Sequence, residues 1–184
     1  MKYLYPAKPN EIALRHLDRY DRDVRWVGEV KKNGWRCLAE QGVLWTRHQT
    51  TIKESVKELR EAVSDMLPPD TRIDGEFIHH RTKGHKAMLY VFDIMFYKGK
   101  LLAGVPFEER RAILEGVVVE GAGIELAKQV RVGKKALYHQ SIGDELNEGI
   151  VLKKLGSKYL VSERRCLQNP FWLKVKKIEK HIII

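Results

Sequence analysis

One lysine of this sequence is placed to act as a nucleophile. Lys31 lies in the segment Glu29-Val30-Lys31-Lys32-Asn33-Gly34-Trp35-Arg36, where Asn33-Gly34 is a strong turn dipeptide because both residues tolerate positive φ. A lysine amine attacks phosphorus only after losing its proton, and a free lysine is almost fully protonated at neutral pH. The neighbouring cations Lys32 and Arg36, or loss of solvent, would favour the neutral amine. We therefore predict a reactive amine at Lys31, with an ordinary surface lysine as the alternative.

Four further segments carry the charges that a nucleoside triphosphate site needs. They are Thr46-Arg47, Asp74-Gly75-Glu76, Glu148-Gly149-Ile150-Val151-Leu152-Lys153 and Trp172-Leu173-Lys174-Val175-Lys176. The alternation of Lys174 and Lys176 puts both amines on one face of a strand. Like charges so close are destabilising without an anion, so the pair indicates a triphosphate site or, as the alternative, a solvated edge. Together with Lys31, these segments predict a nucleotide pocket in which the amine faces the α-phosphorus.

Two carboxylates and one aromatic ring complete the candidate site. Glu76 and Glu148 each stand beside a glycine, which would let a ligand approach the backbone closely. Glu148 is the predicted metal ligand, because hard cations prefer oxygen donors, and Glu76 is predicted to bind ribose hydroxyls. Phe92 lies in an apolar run and is predicted to stack on a purine. Each residue alone has a plain alternative, a solvent-facing glutamate or a core phenylalanine.

The elements that must position these residues mix strands and helices without regular alternation. A strand over residues 26–30 leads into the Lys31 turn, and residues 36–40 and 43–46 form a hairpin. Apolar residues at three- and four-residue steps predict a helix over about residues 52–66. Further helices are expected at residues 106–119 and 134–145, and further strands at residues 72–79, 87–97, 124–132, 150–154 and 172–177. This order is typical of an α+β fold, with antiparallel sheets and helices packed outside.

The composition favours an intracellular protein with a polyanionic partner. Lys and Arg number 34 against 24 Asp and Glu, a formal charge of +10, which favours nucleic acid over a basic surface that binds nothing. Cys37 and Cys166 form neither a metal spacing nor a disulfide framework, which suits a reduced compartment. The sequence has no run of ~18 apolar residues and no signal-peptide pattern. We expect a cytoplasmic or nucleoid-associated protein, not a secreted one.

The motifs in this order resemble those of the covalent nucleotidyltransferases, which comprise ATP-dependent DNA ligases, RNA ligases and mRNA capping enzymes. Lys31-Lys32-Asn33-Gly34-Trp35-Arg36 is similar to the family's Lys-x-Asp-Gly-x-Arg motif, and the segments around Arg47, Glu76, Phe92, Glu148 and Lys174 follow in the family's order. The stretch from Phe92-Asp93-Ile94 to Pro106-Phe107-Glu108-Glu109-Arg110-Arg111 looks like DNA ligases in particular. The resemblance covers about residues 26–177.

The resemblance implies a fold and a reaction. The fold is an ATP-grasp-like adenylation domain, with two antiparallel β-sheets flanked by helices and a nucleotide cleft between them. Lys31 would attack the ATP α-phosphate, form a covalent lysyl-AMP and pass AMP to a 5′-phosphate, so that a 3′-hydroxyl seals a nick in DNA. The alternatives are an RNA ligase, a capping-type enzyme that uses GTP, or a non-catalytic remnant that binds nucleotide or nucleic acid.

The resemblance also assigns a role to each candidate residue. Lys31 is the catalytic residue, and Glu148 serves Mg²⁺ or Mn²⁺. Glu29 would lie against the adenine, and Phe92 would stack on it. The residues for ribose and phosphates are Arg36, Arg47, Glu76, Lys153, Lys174 and Lys176.

The sequence departs from the family pattern in two places. Asn33 replaces the usual aspartate, which keeps the turn but removes a charge. The family normally continues into an OB-fold domain, and the residues after Lys176 are too few for one. We therefore expect residues 1–184 to be a monomeric nucleotidyltransferase domain without its OB-fold partner.

Overall fold

The structure is a computed structural model that describes residues 2–53, 56–79 and 86–177. Its strands are β1 Lys8–Glu11, β2 Trp26–Lys32, β3 Trp35–Glu40, β4 Val43–Thr46, β5 Arg72–Ile78, β6 Met88–Tyr97, β7 Lys100–Leu101, β8 Ile124–Leu126, β9 Gln129–Val130, β10 Asn147–Lys154 and β11 Gln168–Lys176. Its α-helices are α1 Asp18–Asp21, α2 Lys57–Met66, α3 Phe107–Val117 and α4 Lys134–Ser141, and a short 3-10 helix spans Leu14–His16.

The first sheet brings together three of the predicted motifs. Its strand order is β1-β11-β10-β2-β9, with β1 and β11 parallel and the other neighbours antiparallel. The central strand β10 pairs with β2 on one side and β11 on the other, and Gly149 lies opposite both Lys31 and Lys176. The residue before Gly149 is therefore held between the two lysines.

The second sheet carries the remaining motifs. Its order is β4-β3-β5-β6-β7, all antiparallel, and β8 adds a parallel pairing to β6. In the β3–β5 pairing Arg36 lies opposite Glu76, and in the β5–β6 pairing Glu76 lies opposite Tyr90. The nearly continuous apolar sequence of β6 suits a strand that is buried on both faces.

Helices cover each sheet, and a third group of side chains joins the sheets. Leu59 of α2 and Leu114 of α3 pack in the core of the second sheet, and Tyr138 of α4 packs in the core of the first. Between the sheets, Leu38 of β3 lies in one apolar cluster with Trp172 of β11. The sheets thus share apolar contacts along part of their facing sides.

The predicted α+β fold with two antiparallel sheets flanked by helices is confirmed, and the predicted hairpin is present as β3 and β4. The prediction that Lys31 lies in a turn was wrong, because β2 continues through Lys32. The predicted helix over residues 52–66 begins only at Lys57, since Ile52 instead donates its backbone N–H to the Leu44 carbonyl of β4.

The single strand predicted over residues 124–132 is instead two short strands in different sheets. Ile124–Leu126 pairs with β6 of the second sheet, and Gln129–Val130 pairs with β2 of the first. Ala127 is fully buried at the crossing and donates its N–H to the Val91 carbonyl. The apolar pattern is the same for one strand or two, so the change of sheet has no signal in the sequence.

No helix within the described ranges is long and apolar enough to cross a membrane.

Candidate active site

A cleft lined by residues of both sheets contains every predicted site residue. Its inner pocket, with a volume of about 70 Å³, is lined by Glu29, Lys31, Arg36, Glu76, Phe92 and Lys153, among others. Its outer cavity, with a volume of about 670 Å³, shares Lys31, Arg36 and Glu76 with the inner pocket and adds Arg47, Glu148, Lys174 and Lys176. Lys31 therefore lies where the two spaces meet.

The nearest charged partner of Lys31 is a carboxylate. Lys31 Nζ lies 2.7 Å from Glu148 Oε2, and Lys176 Nζ lies 3.4 Å from the same oxygen. Burial raises the pKa of Glu148, but the hydrogen bonds and positive charges of Lys31 and Lys176 outweigh it and hold that pKa below its ordinary value. The sequence predicted only cations around the Lys31 amine, and the structure adds a carboxylate that forms an ion pair with it.

A glycine lets Glu148 lie between the two lysines. The register of β10 against β2 shifts between Asn147 and Gly149, so Glu148 lies in a bulge. Gly149 has φ +132°, and a Cβ there would lie 2.0 Å from the Val175 carbonyl oxygen. The neighbouring strand therefore requires a glycine here, a reason that the sequence did not reveal. Gly75 beside Glu76 is similar, since its Cβ would lie 2.7 Å from the Tyr90 carbonyl oxygen.

A buried ion pair underlies the inner pocket. Lys153 Nζ lies 2.8 Å from Glu29 Oε2 and donates to the Phe92 carbonyl at 2.9 Å. The other oxygen of Glu29 accepts a hydrogen bond from Gln129 Nε2 at 2.7 Å. Glu29 and Lys153 are each only 2% exposed. Because buried charges are tolerated only when paired and hydrogen-bonded, these contacts hold both side chains in place.

Phe92 forms part of the wall of the inner pocket. Its ring is partly exposed, and two cations lie near it, Arg36 Cζ and Lys153 Nζ, each 4.8 Å from the ring centroid. Its neighbours Val91 and Asp93 are buried, and stacking of Phe92 on a base stays a prediction. A partly exposed aromatic ring in a pocket wall can accept the planar ring of a base.

Glu76 lies close to the Asn33-Gly34 connection between β2 and β3. Gly34 donates its backbone N–H to Glu76 Oε1 at 3.2 Å, and a Cβ on Gly34 would come within 2.4 Å of the Phe77 carbonyl oxygen. Burial raises the pKa of Glu76, the charges of Lys31 and Arg36 oppose that rise, and the charge of Glu148 adds to it. Glu76 and Glu148 are thus close enough to repel each other across the outer cavity.

Arg47 belongs to a further cavity that the sequence did not predict. This space of about 540 Å³, here called the arginine pocket, is lined by Lys8, Arg36, Arg47, His48, Arg164 and Arg165, among others. None of the described residues that line it is acidic. It shares Lys8, Arg36, Arg47 and His48 with the outer cavity, so the two are continuous. Arg164 and Arg165 therefore border the same cleft as Lys31.

The two late lysines have different partners. Lys174 Nζ lies 3.2 Å from Glu11 Oε2 of β1, a strand that the sequence did not predict, while Lys176 is paired with Glu148. Both lysines line the outer cavity, as their alternation indicated. Glu11 and Glu148 therefore reduce the repulsion that the sequence predicted between Lys174 and Lys176.

Comparison with known proteins decides the family. The sequence of residues 77–176 matches the family model described as ATP dependent DNA ligase domain. The chain belongs to the ATP-dependent DNA ligase domain family. A DNA ligase from Methanocorpusculum labreanum is 41% identical over 171 residues, a match that covers 80% of this chain and 30% of that protein. The family resemblance inferred from the motifs is thereby confirmed.

Two solved structures share the fold of this ligase-family domain. The ligase domain of LigD from M. tuberculosis superposes with a TM-score of 0.62 at 20% identity, covering 91% of this chain and 59% of that chain. The Chlorella virus DNA ligase-adenylate superposes with a TM-score of 0.64 at 17% identity, covering 94% and 70%. The domain spans 30% of the length of the Methanocorpusculum relative.

Two ion pairs of the ligase-family domain, both near the cleft, were not predicted from the sequence. Asp74 binds Arg36 through both carboxylate oxygens, and Tyr159 donates its hydroxyl hydrogen to the same carboxylate. Asp93 binds Arg110 through both oxygens at 2.8 and 3.0 Å. Tyr159 lies in a loop of mixed polar sequence, where nothing local distinguishes it from a surface tyrosine.

Among residues 2–53, 56–79 and 86–177, no group of three or more His, Cys, Asp or Glu side chains is arranged to hold a metal ion. His79 stacks on Phe77 with ring centroids 5.6 Å apart, and His80 and His85 lie outside the described residues.

Proposed function

We propose that residues 1–184 form the adenylation domain of an ATP-dependent DNA ligase, in which Lys31 becomes covalently bonded to AMP. The observation that supports this most directly is the location of Lys31. Its amine lies where a small pocket walled in part by Phe92 meets a larger cavity lined mostly by cations among its charged residues. A nucleotide with its base in the first space and its β- and γ-phosphates in the second would present its α-phosphorus to this amine.

The inner pocket supports the proposal that it holds adenosine. Phe92 would stack on the adenine, and Glu29, whose side chain is fixed by Lys153 and Gln129, would border it. Arg36 and Glu76 lie where the inner pocket opens into the outer cavity and would bind the ribose. Lys153 lies on the inner side and would face the α-phosphate, and Lys174 and Lys176 on the outer side would face the pyrophosphate.

The reaction needs a proton to leave before the bond forms. The Lys31 ammonium is paired with Glu148 and must give a proton to water before its nitrogen can attack. The nitrogen–phosphorus bond then forms while the bond from the α-phosphorus to its bridging oxygen breaks, and pyrophosphate leaves. Cations around the outer cavity stabilise the charge that develops on this leaving group.

The carboxylates of the cleft fit a divalent cation that arrives with the nucleotide. Mg²⁺ is usually bound through one or two carboxylates together with waters and substrate phosphates, and Glu148 is the residue that would hold Mg²⁺ or Mn²⁺ here. When bound, such an ion would neutralise phosphate charge. Glu148 bound in this way would no longer be free to stabilise the ammonium of Lys31.

The arginine pocket supports nucleic acid as the acceptor. Arginines bind phosphate in a planar, bidentate manner, and Arg47, Arg164 and Arg165 line a space continuous with the Lys31 cavity. A 5′-phosphate held there would attack the AMP phosphorus of the lysyl-AMP and release Lys31. A 3′-hydroxyl would then displace AMP and join the strand. The formal charge of +10 would add attraction that does not depend on sequence.

The test is the mass of the purified chain after incubation with nucleotide and Mg²⁺ or Mn²⁺. We expect a gain equal to one adenosine monophosphate with ATP, none with GTP, and none for Lys31→Ala. Lys57→Ala changes a lysine that is 83% exposed on α2 and should retain the adduct. A gain with GTP would indicate a capping-type enzyme, and transfer to RNA but not to nicked DNA would indicate an RNA ligase. A wild-type chain that binds nucleic acid but never gains mass would be a non-catalytic remnant.

A further inference from the structure

Arg36 is common to all three spaces of the cleft. Its side chain lines the inner pocket, the outer cavity and the arginine pocket. Its guanidinium also lies over the Phe92 ring and donates to the Ala7 carbonyl at 2.9 Å. A small rotation of this one side chain would therefore change both the nucleotide pocket and the pocket proposed for the acceptor phosphate.

The orientation of Arg36 depends on a fully buried carboxylate. Asp74 is 0% exposed and accepts hydrogen bonds from Arg36 through both of its oxygens. Burial raises the pKa of Asp74, while the charge and hydrogen bonds of Arg36 and the hydrogen bond from Tyr159 oppose that rise. A buried carboxylate is stable only when donors satisfy it, so each of these hydrogen bonds matters to the arrangement.

Tyr159 supplies the second donor from a different part of the chain. It is 1% exposed, its hydroxyl donates to Asp74 Oδ2, and its ring meets Trp172 edge-on at 5.2 Å. Its backbone N–H donates to the Ala103 carbonyl at 3.1 Å. Tyr159 lies in the loop of residues 155–167 between β10 and β11, which also carries Arg164 and Arg165. The Tyr159 hydroxyl thus connects the loop that carries Arg164 and Arg165 to Asp74, the carboxylate that orients Arg36.

The geometry points to Tyr159 as a positioning residue that, by donating to Asp74, holds the Arg36 guanidinium between the nucleotide and the acceptor phosphate. Tyr159 itself lines none of the three spaces, so it acts through Asp74 and not by touching substrate. Within the described residues, the hydroxyl is one of two donors to Asp74 Oδ2, and its oxygen also lies 3.5 Å from Arg36 Nη2. Without it, the carboxylate can rotate and carry the guanidinium with it. This inference rests on the proposed function, because it assigns Arg36 to bound ATP.

The test is Tyr159→Phe, which removes one oxygen and keeps the ring packed on Trp172. We expect kcat/KM for self-adenylation to fall about tenfold, in line with the loss of a hydrogen bond to a charged group. Tyr97→Phe, which changes the last residue of β6, is the matched control and should change kcat/KM less than about twofold. All variants are compared at a fixed interval below their own thermal midpoints, which removes differences in stability.

A double-mutant cycle with Arg36→Lys separates positioning from a general structural effect. If Tyr159 acts through Arg36, Tyr159→Phe should have almost no further effect once Arg36 is lysine. If Arg36→Lys leaves too little activity to measure, the dissociation constant for ATP is measured for the same four proteins without divalent cation, and the cycle is calculated from these constants. Wild-type activity in Tyr159→Phe, or an equal loss in both backgrounds, would overturn the inference. A wild-type chain that forms no adduct at all would instead refute the proposed function.

Discussion

Lys31 Nζ and Glu148 Oε2 lie 2.7 Å apart across the paired strands β2 and β10, and Lys176 approaches the same oxygen from β11. The proposed nucleophile is therefore held by the proposed metal ligand. Under the proposed mechanism, this ion pair must break before the Lys31 nitrogen can attack phosphorus. A divalent cation that took Glu148 as a ligand would compete with Lys31 for the same carboxylate.

Glu148→Gln tests this link. The amide cannot hold a divalent cation as the carboxylate does, so we expect the self-adenylation rate to fall on the order of 100-fold, the size of a lost electrostatic contribution to a transition state. The dependence of the rate on Mg²⁺ concentration should also become weaker. The control is Glu115→Gln, which changes a 54% exposed partner of Arg111 on α3. A variant with the wild-type rate and metal dependence would remove Glu148 from the site.

Glu76→Gln should make the protein more stable at neutral pH and less active. The folded-state pKa of Glu76 is raised, mainly by burial, so ionised Glu76 destabilises the fold. The stability that Glu76 contributes is complete below its unfolded pKa and is lost as pH rises through the folded pKa. The higher thermal midpoint of Glu76→Gln should therefore shrink on acidification and vanish below pH 4.5, the ordinary value.

Thermal midpoints of wild type and Glu76→Gln, measured from acidic to neutral pH, check this sign. Glu61→Gln on α2, which is 60% exposed, is the control and should show no such trend. A variant that is less stable than wild type at neutral pH would contradict the burial argument. Weaker ATP binding by Glu76→Gln would in addition support its proposed contact with ribose.

Gly149→Ala should destabilise the domain strongly. A Cβ at this position meets the Val175 carbonyl oxygen at 2.0 Å, and φ +132° is strained for any residue with a side chain. We expect the free energy of unfolding to fall by at least about 3 kcal/mol in urea denaturation. Gly104→Ala is the matched control, since a Cβ there meets nothing within 4 Å, and it should be nearly neutral. Equal stability of the two variants would show that β10 can move away from β11.

Arg164→Gln should weaken DNA binding and its dependence on salt. If Arg164 contacts a phosphate in the arginine pocket, the slope of log K against log salt concentration should become shallower by about one. Titration of nicked duplex DNA at several salt concentrations measures this slope. Arg25→Gln is the control, because Arg25 is exposed and paired with Asp23, and it should leave the slope unchanged. Equal slopes for Arg164→Gln and wild type would place the phosphate elsewhere.

Several contacts of the cleft were beyond sequence reasoning because they join residues distant in the chain. Tyr159 donates to Asp74, which lies much earlier in the chain. Lys174 pairs with Glu11, which lies in a strand of sequence Lys-Pro-Asn-Glu that has no apolar pattern. The change of sheet after Leu126 is equally silent in the sequence. Each of these contacts depends on which strands become neighbours, and the local periodicity of a sequence does not determine the order of strands in a sheet.

By itself, the sequence determined the chemistry available and the local elements that carry it. The residue types around Lys31, Glu76, Phe92 and Glu148, and the alternation of Lys174 and Lys176, follow from short-range pattern, and they suffice to indicate the family and the cleft. Tertiary structure alone decided the partners. Placing β10 between β2 and β11 set one carboxylate between two ammonium groups, because electrostatic contacts depend on distance in space and not on separation along the chain.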